Sequence, residues 1–300
     1  MPVLDHPYDA PGEWFRGNLH THTTESDGRR DPGDVCADYA ARGYDFLALS
    51  DHDVFTDPDG LSPEPSLTMI PAVEVSANGP HLLHLDAASA IEPHEDRQAA
   101  IDDIVDANGI AVLAHPNWQS SFAHWPQDVM ADLEGYQGME VFNGVIERHP
   151  GLAVATDRWD QLLSSGRRIW GFATDDSHAA WDVAQGWISV RAADCSRAAI
   201  LAAIRAGRFY ASTGVSITDV AVDGGRVRVE TENADRIDLV SDHGLRQQTV
   251  QGSSATFHLP RQLVHRSEHT YVRVECFGPG GARAWLQPMF ITDGRNDLEG

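Results

Sequence analysis

NLHTHTTESDG, residues 18–28, decides how the rest of this 300-residue chain is read. It continues the strand-like run WFRG, so His20 and His22 stand two apart on an extended segment, with Asp27 five residues on. Residues i and i+2 of a strand project from the same face, so their imidazoles can converge on one ion. A lone HxH string sits more often on a solvated surface than at a metal. Working outward, five further strings have the same makeup: LSDHD (49–53), AVEVS (72–76), HLLHLDA (81–87), LAHP (113–116) and ATDDSH (173–178). Each falls where an apolar run of strand length ends. Six clusters so placed point to a multinuclear metal site and to hydrolytic chemistry.

The intervening sequence sets the scaffold. From about residue 13 to 213, strand-length apolar runs alternate with amphipathic stretches of helix length. In DPGDVCADYAARG, Asp31 is suited to cap a helix, Pro32 to its first position and Gly43 to its end. Further helices are expected at 94–108, 128–136, 156–165 and 196–206. Such alternation argues for a parallel sheet. Roughly seven strand–helix units predict a closed barrel by analogy with the TIM barrel, whose chemistry sits at the carboxyl ends of its strands. After Gly214 the texture becomes period two with Gly, Asn and Asp turns, as in VSITDVAVDGG and RVRVETEN. This predicts a small antiparallel β-sandwich at about 215–292 and a disordered acidic tail. The division is thus into 1–213 and 214–300.

Forty-five acids against 22 bases give a net charge of −23. The averaged surface repels nucleic acid and anionic membrane, so no nucleic-acid partner is expected beyond a short oligonucleotide or nucleotide. Bound divalent cations would reverse that field locally and leave a phosphorylated substrate open. Cys36, Cys195 and Cys276 are scattered and form neither a disulfide framework nor a thiolate site. The amino terminus shows no secretory pattern, and no stretch approaches the ~18 apolar residues needed to span a bilayer. A cytoplasmic protein is expected.

Taken together and in this order, the strings resemble the PHP family, named for polymerase and histidinol phosphatase, over about 200 of the 300 residues. The segment GFATDDSH through AIRAGRFYASTG (203–214), with a β-rich tail, is similar to the carbaryl-hydrolase-like branch. The resemblance implies an α/β fold, a distorted (β/α)7 TIM-like barrel followed by the small sandwich, with two or three divalent ions at the barrel's mouth. It implies that His20, His22 and Asp176 hold one ion, Glu74 bridges, and His81 and His115 complete a second site. Asp27, His52 and His178 would form a third site or meet the substrate phosphate.

Two choices need physical arbitration. His81 and His84 are an odd number apart on a strand and face opposite ways. His81 matches the family's histidine, so His84 is assigned to the core. The family spacing of acid, any residue, histidine selects Asp176 in TDDSH and leaves Asp175 as a proton-handling candidate. Glu74, between Val73 and Val75, would suffer several kcal/mol of desolvation if buried without a cation. Glu140 and Asn143 in MEVFNG resemble a family motif near the mouth, though capping is an equal role for Asn143. Arg208 is a candidate anion contact, or a cap for the helix before it. His6, His94, His124, His149, His243, His258, His265 and His269 have no partner pattern and are read as solvated. Trp14, Trp118, Trp125 and Trp181 are either mouth-lining or packing residues.

Imidazole and carboxylate donors suit Zn, Mn or Fe. A pair of such ions ~3.5–4 Å apart activates water for attack on phosphorus or an acyl carbon. Asp176 would accept the water's proton, and His52 or His178 would protonate the leaving group. The resemblance implies a small phosphomonoester as substrate. A carbamate, ester or cyclic phosphodiester is the alternative, and a non-catalytic, metal-stabilised binding module is another. His81 and His115 are only 34 residues apart, so the long insertion that encloses substrate in some members is missing.

Overall fold

The computed structural model describes residues 3–61, 67–259 and 271–292. In chain order its first strands are β1 (Val3–Asp5), β2 (Glu13–Asn18), β3 (Phe46–Leu49), β4 (Thr68–Val75) and β5 (Leu82–Leu85). There follow β6 (Ile110–Leu113), β7 (Gly138–Asn143), β8 (Trp170–Thr174), β9 (Trp187–Ala192) and β10 (Phe209–Ser212). The remainder are β11 (Ile217–Asp223), β12 (Arg226–Thr231), β13 (Arg236–Ser241), β14 (Leu245–Gln251), β15 (Ser254–His258), β16 (Tyr271–Phe277), β17 (Arg283–Leu286) and β18 (Met289–Thr292). The helices are α1 (Pro32–Ala41), α2 (Arg97–Asp106), α3 (Gln127–Asp132), α4 (Thr156–Ser164) and α5 (Arg197–Arg205).

The result is a mixed α/β fold. One ladder runs β8-β7-β6-β5-β4-β3-β2-β9-β10-β17-β16-β18-β1, with β13 and β14 branching from β16. A second, three-stranded sheet has the order β11-β12-β15. The β2–β3, β3–β4, β6–β7 and β7–β8 pairs are parallel. Their short apolar strands, such as FLAL and IAVL, are wholly buried, as suits strands covered on both faces.

The expectation of an all-parallel sheet needs correction. β4–β5, β5–β6, β2–β9 and β9–β10 are antiparallel. The connection over residues 76–81, containing Gly79 and Pro80, is a turn, and a parallel return needs a crossover of a dozen or more residues. Helix ends also moved inward. Asp96 accepts from Gln98 N and starts α2 after His94, whose ring instead bonds Asp103 at 2.9 Å. α3 stops at Asp132 because Leu133 turns extended. The acidic tail, His265 and His269 lie outside the described residues. Among the described residues, no helix is long and apolar enough to cross a membrane.

Three features position the site. Leu19, Phe46, Ile70, Leu83, Val112, Phe172 and Ile188 pack as a buried floor beneath the carboxyl ends of the strands. At those ends the loop after β8 meets the loop after β2, with His22 N donating to Ser177 O (2.9 Å). Lower down, the backbone of Gly171 in β8 is held by Gln287, whose side-chain amide accepts from its N–H and donates to its carbonyl, both at 2.8 Å. A separate buried cluster ties α4 to β16: Arg273 donates twice to Asp160 (2.8 and 2.7 Å), and Tyr271 OH donates to it at 2.7 Å.

Candidate metal centre

Each cluster rides on the end of a strand, and local bonds fix its loop. Asn18, the last residue of β2, accepts from His20 N (3.0 Å) and donates to Gly186 O (2.8 Å). Asp51 accepts from Thr23 N, Thr23 Oγ1, Ser26 Oγ and Thr56 Oγ1 at 2.7–2.8 Å, knitting the loop that carries Asp27 to the loop that carries His52. Asp53, at a positive φ of 54°, takes Ser76 N and Ala77 N (both 2.9 Å) and so ties His52 to the end of β4. His115 and Asp176 also sit at positive φ, 32° and 53°, a conformation uncommon outside glycine.

Glu74 is the hub. Its Oε2 lies 3.2 Å from His20 Nε2, 3.2 Å from His22 Nε2 and 2.9 Å from His52 Nδ1. Its Oε1 lies 2.9 Å from His81 Nδ1 and 3.1 Å from His115 Nε2. Asp176 Oδ1 meets His20 Nε2 at 3.3 Å, His22 Nε2 at 3.1 Å and His178 Nδ1 at 3.6 Å. Asp27 Oδ1 lies 3.2 Å from His178 Nε2, 3.7 Å from His52 Nε2 and 3.9 Å from His22 Nδ1. All nine side chains named from the sequence are thereby placed around one cleft of about 290 Å³ or in its wall.

The donor set fits divalent cations. His20 Nε2, both ring nitrogens of His22, His52 Nδ1, Glu74 Oε2 and Asp176 Oδ1 are buried and lack hydrogen-bond partners. Buried polar atoms are normally paired, and a group of unpaired ones aimed at each other is the signature of a site for an ion. Burial would raise the Glu74 pKa, but His20, His81 and His115 hold it well below the usual carboxylate range. Asp176 is likewise penalised by burial yet held low by His20 and His22. Two buried anions at such spacing require positive charge between them, from protonated imidazoles or from metal ions. The hydrogen bond from His178 draws Asp27 down to about 2. Burial opposes charge on His178, but Asp27 and Asp176 outweigh it and raise its pKa to about 9.

Several assignments change. Arg208 is not brought to the site. Its carbonyl accepts from Arg191 N, and Arg191 pairs with Trp14 near the start of β2, whereas His20 follows the end of that strand. The antiparallel run of β9 and β10 puts it at the opposite end of the sheet. Asp175 turns away from the cleft and accepts from Tyr39 OH and the N–H groups of Ala184, Gln185 and Gly186 at 2.7–2.9 Å. It shapes the 184–186 loop, and burial raises its pKa to about 6. Asn143 donates to Glu140 (2.8 Å) and Asp176 (3.2 Å), so it orients a carboxylate. His84 keeps its assignment to the core, buried between β4 and β6 and paired with Val73 and Ala111.

Other residues take partners that the sequence did not show. Glu140 accepts from Thr174 Oγ1 (2.6 Å) and His115 N (2.7 Å) and lies 2.7 Å from His20 Nδ1, fixing the His20 ring so that Nε2 faces the hub. His124, read as solvated, is buried against His81, His115 and Trp118 with centroids 4.8–4.9 Å apart. Arg29 and Arg148 line the cleft. Arg148 is paired to Asp182 by two 2.9 Å bonds, and Arg29 stacks over Trp181, whose ring is 62% exposed. Nothing in their local sequence marks them, because their role comes from loops remote in the chain. Of the four tryptophans, Trp118 lines the cleft, Trp125 is buried beneath it and Trp14 lies at the far end.

No family model and no curated protein matches this sequence. Solved structures do. A two-domain protein from Bacteroides vulgatus containing a predicted PHP-like metal-dependent phosphoesterase aligns with a TM-score of 0.54 at 17% identity, over 92% of this chain and 94% of that one. A lesion-specific endonuclease from Pyrococcus furiosus aligns with a TM-score of 0.46 at 13% identity, over 65% and 56%. A putative metal-dependent phosphoesterase from Bifidobacterium adolescentis gives 0.36 at 15% identity, over 54% and 87%. The first of these shares the mixed α/β fold of this chain over nearly the whole of both.

Proposed function

From that fold as premise, we propose that this protein is a metal-dependent hydrolase of the PHP type, acting as a phosphoesterase on a small phosphomonoester. One observation carries the reading: a single buried carboxylate, Glu74, is met by five imidazoles, and the facing nitrogens of His20, His22 and His52 are buried without hydrogen-bond partners. On this reading His20, His22 and Asp176 hold one divalent ion, His81 and His115 hold a second, and Glu74 serves both. Asp27, His52 and His178 hold a third or face the substrate. Bound Zn, Mn or Fe would supply Lewis acidity and a water of lowered pKa. The same reading takes β2 to β8 as a distorted seven-stranded barrel, the part after residue 213 as a β-sandwich, and the branch as carbaryl-hydrolase-like.

The chain's own residues then divide the work. Glu140 and Asn143 hold His20 and Asp176 in place. Asp176 Oδ1, unpaired and facing the cluster, is positioned to take a proton. Where no third ion occupies it, His178, kept protonated by Asp27 and Asp176, is positioned to give one to a departing alkoxide. Arg29 supplies positive charge at the rim of an otherwise acidic molecule, beside Arg148, whose guanidinium is paired to Asp182. Trp118, Val145 and Ile146 provide an apolar wall for the leaving group.

The test is turnover of p-nitrophenyl phosphate by protein loaded with Mn or Zn, beside carbamate, ester and cyclic phosphodiester panels. Metal-dependent release from the phosphomonoester, removed by chelator, is the expected result. Faster turnover of a carbamate or ester would reassign the substrate on the same site. No turnover of any panel member would leave a metal-stabilised binding module in its place.

A further inference from the structure

We infer that His124, with Trp125 beside it, is a positioning residue that locks the His81–His115 half of the centre; this rests on the metal-centre reading above. His81 precedes β5, and its carbonyl takes one backbone bond, from Ala114 N, that extends the β5–β6 ladder. Side chains grip its backbone from both sides as well. The N–H donates to His124 Nε2 (2.9 Å), and the carbonyl accepts from Trp125 Nε1 (3.0 Å) and Ala114 N (3.1 Å). Two adjacent side chains thus satisfy both polar groups of one candidate ligand. The rings reinforce the grip: His124 stands nearly perpendicular to His81, at 85°, and Trp118 packs on His81, His115 and His124 at 5.5, 5.0 and 4.9 Å.

The segment that carries these residues is itself anchored. Asn117 donates to Val154 O (3.0 Å) and Asp157 Oδ1 (2.9 Å), and its Oδ1 accepts from Arg158 Nε (2.8 Å). Arg158 also donates to Phe122 O (2.9 Å), and Trp125 N donates to Pro116 O (3.2 Å). The short stretch after His115 therefore forms a rigid brace tied to the start of α4.

His124 also stands near enough to His81 and His115 for the three to be considered as ligands together. The bonding argues for a brace instead. Its Nε2 already accepts the His81 N–H, and its Nδ1 lies 3.2 Å from the Gln119 amide, so neither nitrogen is free. Groups of this kind, which hold a ligand without touching the metal, change affinity by about 10- to 100-fold when removed.

The experiment titrates metal-free full-length protein with Mn or Zn and counts ions and affinities by calorimetry, for wild type, His124→Ala and His124→Gln. The expected result is that His124→Ala weakens one of the ions about 10- to 100-fold and leaves the other unchanged. His124→Gln, whose amide oxygen can accept the same N–H, should recover most of that loss. Equal affinity for every ion in His124→Ala would overturn the brace. Complete loss of one ion in both variants, with circular dichroism unchanged, would also overturn it and make His124 a ligand. If His124→Ala does not fold, Trp125→Phe removes only the second bond, and unchanged affinities there overturn the proposal. A wild type that binds no ion at all would sink the metal-centre reading itself, and this proposal with it.

Discussion

Among the described residues, two buried clusters of charge are built in opposite ways. Around Asp160, the guanidinium of Arg273 and the hydroxyl of Tyr271 fill the carboxylate's bonding directions, with Glu275 close behind at 3.3 Å from Arg273. Around Glu74, five imidazoles crowd one carboxylate while Oε2 and at least three facing ring nitrogens go without hydrogen bonds. Both carboxylates, Asp160 and Glu74, are buried. A saturated cluster serves the fold, since nothing further can bind to it. An unsaturated one stores donors for something that arrives later.

That contrast can be broken by substitution. Glu74→Ala should cut turnover of a phosphomonoester by at least about 10²-fold and lower the bound metal. Retention of two equivalents of metal in this variant would remove Glu74 from the bridge. Arg273→Met should do the reverse. It strands the Asp160 charge and should destabilise the protein by about 3–5 kcal/mol, read as a lower urea midpoint, while metal content stays at the wild-type level. If Arg273→Met lost metal as well, the two clusters would not be independent.

His84 sharpens the comparison because it is buried without partners yet lies outside both clusters. Burial pushes its pKa from 6.5 to about 4. The unfolded chain therefore takes up a proton below about 6.5, whereas the folded chain resists until near 4. The stability this group contributes is full above 6.5 and falls as pH drops through the window, by roughly 3 kcal/mol in all. His84→Leu should flatten that acid limb in denaturation curves run at pH 7 and pH 5. Its metal content should match wild type, and loss of an ion would mean that the wrong histidine of HLLHLDA had been chosen.

What the sequence revealed, and what it hid, follow the range of each signal. The candidate ligands are legible because each string carries its own clue within a few residues: His20 and His22 on one strand face, Glu74 between valines, Asp176 two before His178. The odd spacing of His81 and His84 placed one toward the cleft and the other between strands, by pleat geometry alone. The reversal at β4–β6 was hidden because alternating runs of strand and helix length do not record strand direction. The partners of His124, Glu140, Arg29 and Arg148 were hidden for a different reason. Each meets its partner across loops that only the fold brings together, as when Glu140 of β7 reaches His20 after β2. Arg208 misled because an arginine beside a glycine-ended helix reads the same at either end of a sheet.

The Gln287 amide on Gly171 has a consequence for how the chain is made. Its two partners are 116 residues apart, and β1 near the amino terminus pairs with β18, just beyond Gln287. On the ribosome, β8 emerges long before the side chain that covers its backbone. Until then the nascent polypeptide presents a bare strand margin of the kind that pairs promiscuously with neighbours. Contacts of such long sequence separation also make for slow folding. Holdase chaperones that shield β8 during translation would accordingly raise the yield of this protein.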